Sequence, residues 1–197
     1  MADRIEDLAR AFERFPGIGP RQARRFVYHL LQTPQPERVR IASLLTDLAK
    51  DVRQCPECMR YANGNGPLCL YCSDTGRDES LLMLVEKDQD LIAVERTGAY
   101  KGKYFVLGGV LTLSGKGQIR EKELSRLVTR RKDKLKEIIL ALSATSEGEN
   151  TADHLREKLR PHGITLTKFG RGLATGSELE YSDTETLSGA LLNRKET

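Results

Sequence analysis

The first fifty residues alternate between amphipathic helical patterns and short breaks. Apolar residues recur three or four positions apart in three stretches, 4–14, 20–32 and 37–53. This is the spacing of one face of an α-helix. Glycines and prolines separate the stretches, and such residues interrupt helices. The pattern therefore predicts three short helices, the second of which begins at Pro20, where the missing N–H of proline is not needed.

Beyond residue 80, short apolar runs alternate with helical patterns. Four runs predict buried strands, at 81–85, 104–107, 137–142 and 165–169. Helical patterns lie between and after them, at 88–97, 120–135, 149–160 and 184–194. Strands that alternate with helices form a parallel sheet with helices on its faces. We therefore predict the α/β class.

All four cysteines of the chain fall in one short segment as two Cys-x-x-Cys pairs: Cys55, Cys58, Cys69 and Cys72. A Cys-x-x-Cys turn brings two thiolates to a shared metal ion, and a second turn completes a tetrahedral site. The alternatives are a redox dithiol, which favours a thioredoxin-like context, and two disulfides, which favour a secreted chain. We expect one structural zinc ion per chain, because four sulfur ligands leave no open position for a water or a substrate.

A tight turn, Gly17-Ile18-Gly19, joins the first two predicted helices. Glycines allow two backbones to approach closely, and the start of the second helix offers free N–H groups to an anion such as a phosphate. Arg21, Arg24 and Arg25 follow at i, i+3 and i+4 and share one face of that helix. This arrangement resembles the helix-hairpin-helix motif, which binds a nucleic-acid backbone without reading sequence. The alternative is a plain helical hairpin whose arginines are only solvated.

Acidic residues follow two of the predicted strands. Glu86 closes the first strand and is followed by Asp88 and Asp90, and Glu147 and Glu149 follow the third strand. Functional groups gather beyond the carboxyl ends of parallel strands, so these side chains are candidates for one site. Clustered carboxylates can hold Mg²⁺ for phosphoryl chemistry, and the arrangement resembles the Toprim domain of primases, topoisomerases and some nucleases. The alternatives are a docking patch for a basic partner and ordinary surface acids.

The charge distribution adds a second basic feature. The 197 residues carry a net charge of +4, but residues 120–136 hold eight basic and three acidic side chains, a local net charge of +5. A solvated helix face is the ordinary explanation for such a run, and a nucleic-acid interpretation needs an independent basic feature. No segment approaches the roughly 20 apolar residues of a membrane span, and the charged start of the chain does not fit a signal peptide. We expect a cytoplasmic protein.

The order of these parts, together with several local sequences, resembles the RecR family of bacterial recombination mediators. The matching sequences include Phe15-Pro-Gly-Ile-Gly-Pro20, Tyr104-Phe-Val-Leu-Gly108, Glu137-Ile-Ile-Leu-Ala141 and Leu179-Glu-Tyr-Ser-Asp183. The resemblance covers essentially the whole chain. The chain departs from the family in the loop between the cysteine pairs, whose ten residues make it longer than usual, and in Ser143-Ala144, which replaces an Asn-Pro.

The resemblance implies a mediator that binds DNA and has no catalytic residues. Proteins of this family form dimers, and in some cases ring-shaped tetramers able to encircle DNA. With RecO, and in some settings RecF, they help load RecA onto single-stranded DNA covered by single-strand-binding protein. By this resemblance Arg21 and Arg25 face the DNA, beside Gly17, Gly19 and Arg24. The surface that meets RecO is acidic and comprises Glu86, Asp90, Glu147 and Glu149.

One alternative function belongs to a different class. The same acids are expected in a Mg²⁺-dependent Toprim nuclease or primase fragment. Such enzymes carry an Asp-x-Asp pair where this chain has Glu147-Gly148-Glu149. We therefore favour the mediator.

The sequence patterns also predict the domain organisation. Four parts are expected: a helix-hairpin-helix domain at 1–53, a zinc module at 54–78, a Toprim domain at 79–175 and a C-terminal segment at 176–197.

Overall fold

A computed structural model describes residues 3–64 and 66–194 of the chain. The chain divides into two compact units, 1–53 and 54–197. The helices are α1 (Arg4–Glu13), α2 (Pro20–Gln32), α3 (Gln35–Asp51), α4 (Leu70–Ser73), α5 (Asp88–Arg96), α6 (Glu121–Arg131), α7 (Ser146–Leu159) and α8 (Thr184–Leu192). The strands are β1 (Val52–Gln54), β2 (Tyr61–Asn63), β3 (Asp78–Val85), β4 (Gly102–Val106), β5 (Glu137–Ala141) and β6 (Thr165–Lys168).

The first unit is a small helical domain with a correspondingly small core. Ala9 from α1 packs against Ala23 and Val27 from α2, and Ile5 and Phe12 add partly buried contacts. α1 starts where the Asp3 carboxylate accepts the backbone N–H groups of the first turn, which is the usual role of an aspartate N-cap. No residue of α3, which is described over its whole length, is buried.

The second unit is built on a parallel sheet with the strand order β4-β3-β5-β6. Side chains alternate between its two faces. Leu82 and Leu84 pack with residues of α6 and α7 on one face, whereas Met83 and Val85 pack with α5 on the other. This α/β layering with a parallel sheet confirms the predicted fold class.

The C-terminal part of the second unit is held to the rest of that unit by polar contacts. The guanidinium of Arg171 donates to carboxylates of Glu149 and Glu185. The Asn193 amide donates to the carbonyl oxygen of Arg171 at 2.8 Å. These contacts join both ends of α8 to the segment that follows β6.

The predicted elements are all present, with ends that differ by a few residues. α7 begins at Ser146 instead of 149, because the Thr145 hydroxyl accepts the N–H of Gly148 and caps the helix earlier. The division of the second unit into a zinc module, a Toprim domain and a C-terminal segment stays a prediction. Residues 1, 2, 65 and 195–197 of the predicted parts lie outside the described residues.

Candidate metal centre and binding surfaces

The four cysteines converge on one point. Their sulfur atoms all lie within 4.8 Å of one another, and the sulfurs of Cys58 and Cys69 are 3.5 Å apart. Three of the four side chains are buried, and all four are free thiols. Within the described residues this is the only group of three or more His, Cys, Asp or Glu side chains that meets this spacing. The cysteines are therefore positioned to hold a metal ion.

The local chain geometry explains why the sulfurs meet. After the first Cys-x-x-Cys pair, Met59 adopts a left-handed conformation with φ of 61°, and its N–H donates to the carbonyl oxygen of Cys55 at 2.9 Å. The Arg60 carbonyl in turn accepts the Cys55 N–H at 2.8 Å. α4 begins directly after Cys69, so the second pair spans its first turn. Both pairs thus close tight turns whose sulfurs point inward.

The chemistry of the donor set fits a soft metal such as zinc. The pKa of the Cys55 thiol is lowered, chiefly by the hydrogen bond it receives from Cys58, and the pKa of Cys58 is raised by the same contact. A cation would replace the shared protons, because metal-bound cysteines are thiolates. Four thiolates at tetrahedral spacing are the common structural zinc set.

Strand β4 and the start of α6 hold the first cysteine turn in place. The N–H of Val106 donates to the carbonyl oxygen of Cys58 at 2.8 Å. The guanidinium of Arg120 donates to the carbonyl oxygens of Met59 at 3.0 Å and Val106 at 2.9 Å. The first turn is therefore tied to the carboxyl end of β4, an edge strand of the sheet.

Lys103 holds the second cysteine turn. Its ammonium donates to the carbonyl oxygens of Tyr71, Cys72 and Asp74 at 3.3, 3.2 and 2.7 Å. The residue is 3% exposed. Three carbonyl dipoles compensate a buried charge that would otherwise be costly.

An aromatic contact completes the attachment of this segment. Two guanidinium groups contact the Tyr71 ring, with Arg60 at 4.7 Å and Arg77 at 4.8 Å from its centroid. Arg77 also donates to Glu95 at 2.5 Å. Asp88 accepts the N–H of Tyr61 at 3.0 Å and so joins the start of α5 to β2.

The glycine turn of the first unit has the conformation that its sequence indicates. Gly17 has φ of +78°, a conformation that favours glycine, and Gly19 precedes α2 as its N-cap residue in an extended conformation. Pro20 is the first residue of α2 and has no N–H. The N–H groups that follow it in the first turn have no helical partner, because no carbonyl of the helix lies four residues before them. This is the geometry that accepts an anion.

The three arginines after this turn lie in different surroundings. Arg24 donates to the Glu6 carboxylate at 3.3 Å. Arg21 and Arg25 are exposed, and neither forms an ion pair within the part of the chain that the structure describes. Two of the three cations are therefore free of compensating charge, and the third one braces α2 against α1.

The acids after β3 make hydrogen bonds within the protein. One oxygen of Glu86 accepts both the N–H and the hydroxyl of Ser143, at 2.6 and 2.5 Å. The Asp90 carboxylate accepts the N–H of Lys87 at 3.1 Å and caps α5. Glu86 thus joins the ends of β3 and β5, which are neighbours in the sheet.

The acids at the start of α7 differ from each other. Glu149 pairs with Lys168 at 3.3 Å and with Arg171. Glu147 is partly exposed, and its side chain has no ion pair among the described residues. Gly148 lies between them, where a Cβ would collide with the carbonyl oxygen of Ser143. The close approach of α7 to the end of β5 therefore requires glycine at this position.

The sequence predicted that the acids follow the ends of two strands, and the structure shows that these strands are neighbours and brings Glu86 beside the loop that leads to Glu147. Among the described residues, the acids do not form a cluster whose ligand atoms lie as close together as the four cysteine sulfurs. The side chains that attach the cysteine segment, above all Lys103 and Arg120, were missed. A lysine within the otherwise apolar run Gly102–Val106 was the available clue, because a charge buried in a strand requires partners.

Among residues 3–64 and 66–194, no helix combines the length and the apolar character needed to cross a membrane.

Comparison with known proteins decides the family. Three family models match, described as RecR helix-hairpin-helix at residues 5–49, Toprim domain at 80–170 and RecR C-terminal at 172–195. Recombination protein RecR of Chlorobium limicola is 40% identical over 195 residues, which covers 96% of this chain and 95% of that protein. The chain belongs to the RecR family. Recombination protein RecR of Staphylococcus saprophyticus is 38% identical over 194 residues, 98% of this chain and 96% of that protein.

Membership of the RecR family confirms the resemblance inferred from the motifs. The glycine turn with its arginines belongs to the helix-hairpin-helix domain, and the parallel sheet with the acids at its strand ends belongs to the Toprim domain. In this RecR-family chain the four cysteines lie between these two matched regions.

Proposed function

We propose that this chain is a non-enzymatic mediator of DNA recombination and repair. It binds DNA without sequence preference and, with RecO and in some settings RecF, helps load RecA onto single-stranded DNA covered by single-strand-binding protein. Its relationship to recombination proteins over nearly the whole chain supports this role. The reduced cysteine set suits the cytoplasm, where thiols stay available to metal.

One observation carries the DNA-binding part of the proposal. Arg21 and Arg25 are exposed beside the open N-terminus of α2, which follows the Gly17–Gly19 turn. Backbone amides at a helix start and unpaired arginines are the groups that contact phosphates. Contacts of this kind position a strand without reading bases. Arg24 supports this surface through its ion pair with Glu6.

The acids at the strand ends form the proposed surface for RecO. They comprise Glu86, Asp90, Glu147 and Glu149. Opposite charges on two partners accelerate association and suppress wrong pairings. Because Glu86, Asp90 and Glu149 already make internal hydrogen bonds or ion pairs, Glu147 is the member best placed to contact a basic partner directly.

The proposed metal is one structural Zn²⁺ bound by the four cysteines. Its contribution is to the fold, since a closed tetrahedral set leaves no position for a substrate. The segment that it closes is tied to β4 through Val106 and Lys103. Loss of the metal would therefore loosen the carboxyl end of this strand.

Self-association is part of the proposal, as a homodimer or a ring-shaped homotetramer. The leucines of α3 are exposed, with Leu44 at 60%, Leu45 at 64% and Leu48 at 60%. An apolar groove of about 520 Å³ lies between the three helices of the first unit and is lined by Leu8, Leu31 and Leu45 among others. Exposed apolar surface of this kind is typical of an interface.

The experiment that tests the proposed function follows RecA filament formation on single-stranded DNA coated with single-strand-binding protein. The chain is added with and without RecO. We expect faster filament formation only when both proteins are present. No acceleration by folded, metal-loaded protein would contradict the mediator role.

A second arm of the experiment separates the mediator from the Toprim nuclease. The same DNA is incubated with the chain and Mg²⁺ and resolved on a denaturing gel. Intact DNA is expected. Nicking that requires Mg²⁺ and is lost in Glu86→Ala would instead support an enzyme.

A further inference from the structure

The outward face of α6 carries only basic and hydroxyl side chains. α6 is described throughout, and its five exposed residues are Lys122, Ser125, Arg126, Thr129 and Arg130. Lys122, Arg126 and Arg130 are spaced at i, i+4 and i+8, so they form a row that rises about 12 Å along the helix. The opposite face is buried against the sheet through Leu124, Leu127 and Val128.

The acidic residues of α6 are not among its exposed residues. Glu121 and Glu123 are partly buried. Glu121 is hydrogen-bonded to His154 at 2.7 Å and forms an ion pair with Lys158 at 3.4 Å, and the hydrogen bond with His154 lowers the pKa of Glu121. Glu123 precedes Arg126 by three residues and neighbours it on the helix surface. The five exposed residues nevertheless comprise three cations and no acid, so the outward face has a net positive charge.

The three cations of this row differ in whether they form ion pairs. Arg130 donates to the Glu57 carboxylate at 2.7 and 2.8 Å. Lys122 and Arg126 form no ion pair within residues 3–64 and 66–194. Ser125 and Thr129 lie between the cations on the same exposed surface, and serine and threonine hydroxyls are regular phosphate donors beside arginine and lysine.

We propose that the outward face of α6 is a second DNA-binding surface, separate from the glycine turn, which contacts the phosphate backbone of a DNA strand through Lys122 and Arg126. This inference rests on the proposed function, because it adds a site in the second unit to a DNA-binding protein. Two surfaces on two compact units would allow one chain to hold a strand at two places. Arginine, lysine, serine and threonine side chains are regular donors to phosphate oxygens, which is the contact proposed here.

The test is a titration of labelled single-stranded oligo(dT) with the full chain at several salt concentrations. The variant is Lys122→Gln with Arg126→Gln, which leaves the Arg130 contact to Glu57 intact. The matched control is Arg96→Gln with Lys101→Gln, since both residues are exposed in the same unit and the charge change is equal. Circular dichroism and thermal unfolding check that each variant is folded.

The expected result is a change in the salt dependence of binding. Each phosphate contact to a single strand contributes about 0.7 to the slope of log K against log salt. The α6 variant is expected to lower the slope by about 1.4 and the affinity by about 25-fold at 0.1 M salt. The control is expected to match the wild type.

A gain of charge tests the same surface without any loss of structure. Ser125→Lys adds a cation to the row and replaces serine with a better helix former. We expect the slope to steepen by about 0.7 and the affinity to rise about fivefold at 0.1 M salt.

The outcomes separate this proposal from the proposed function. Equal behaviour of the α6 variant and the control, or an unchanged slope in Ser125→Lys, overturns the second surface. If Arg21→Ala with Arg25→Ala then still weakens binding, the DNA-binding mediator stands and only the α6 surface falls. A wild-type chain that binds no oligo(dT) overturns both.

Discussion

Lys103 is a buried cation whose partners are all backbone carbonyls. It donates to the oxygens of Tyr71, Cys72 and Asp74. Lys103→Met keeps the length and apolar character of the side chain but leaves three carbonyls without their donor. An unsatisfied buried group costs about 1–3 kcal/mol. We expect thermal and denaturant unfolding to show a loss in this range, together with faster metal release to a chelator.

The neighbouring Lys101 offers a control for Lys103. It is exposed two residues earlier in the chain, so Lys101→Met should change the free energy of unfolding by less than about 0.5 kcal/mol. Equal stability of the two variants would show that the three carbonyl contacts contribute nothing.

At the scale of single residues, the sequence predicted the metal ligands but not the side chains that hold the cysteine segment in place. The four cysteines were recognised because metal coordination imposes a spacing along the chain. Lys103 and Arg120 act on carbonyl groups of residues that are distant in sequence, and no local pattern encodes such contacts. The difference in environment between Arg24 and Arg25 is of the same kind, because it depends on Glu6 from another helix.

Arg21 and Arg25 carry the proposed contact to DNA in the first unit. Arg21→Ala with Arg25→Ala removes two cations from an exposed surface, so the fold is expected to survive. Affinity should fall alike for all sequences, and the salt slope on single-stranded DNA should decrease by about 1.4. The control is Arg10→Ala with Arg38→Ala, two exposed arginines elsewhere in the same unit. Unchanged slopes in the first variant would refute the role of the hairpin.

The cysteine segment is an element that has little core of its own. Among the described residues, its buried cysteines pack against partly buried neighbours such as Ala62, Leu68 and Tyr71. The free energy of metal binding is therefore folding free energy for this segment. Chelation is expected to raise hydrogen exchange throughout 54–75 and to spread to β4, since Val106 donates to Cys58. If hydrogen exchange and DNA binding stay unchanged after verified removal of the metal, the metal is dispensable.

The two glutamates at the start of α7 are expected to respond differently to substitution. Glu147→Gln removes a charge that has no ion pair among the described residues, and it should lower RecO affinity with little change in stability. Glu149→Gln also breaks the pairs with Lys168 and Arg171 and should lower stability as well. Titration with RecO and thermal unfolding measure both effects. Full RecO binding by Glu147→Gln would count against the acidic surface as the docking site.

Elements with a long apolar run or a long amphipathic pattern were predictable from the sequence, whereas very short elements were not. β3 carries a continuous apolar run at 81–85, and α6 carries an amphipathic pattern over eleven residues. β1 and β2 have three residues each and α4 has four, too few for a period to be visible. The strand order β4-β3-β5-β6 also required the structure, because hydrophobic periodicity does not distinguish which strands are neighbours.

The exposed leucines of α3 bear on the oligomeric state of the whole molecule. α3 buries none of its residues, all of which are described, although it carries Leu44 and Leu48 one helical turn apart. In a symmetric dimer each substitution acts twice, and a buried leucine contributes roughly 1.5–3 kcal/mol. Leu44→Gln with Leu48→Gln should weaken self-association about 100-fold or more without destabilising the chain. Sedimentation equilibrium compares it with Leu70→Gln, an exposed leucine of the second unit. If the wild-type chain is a monomer, self-association is excluded. If it forms an oligomer that both α3 substitutions leave intact, the self-association surface lies elsewhere.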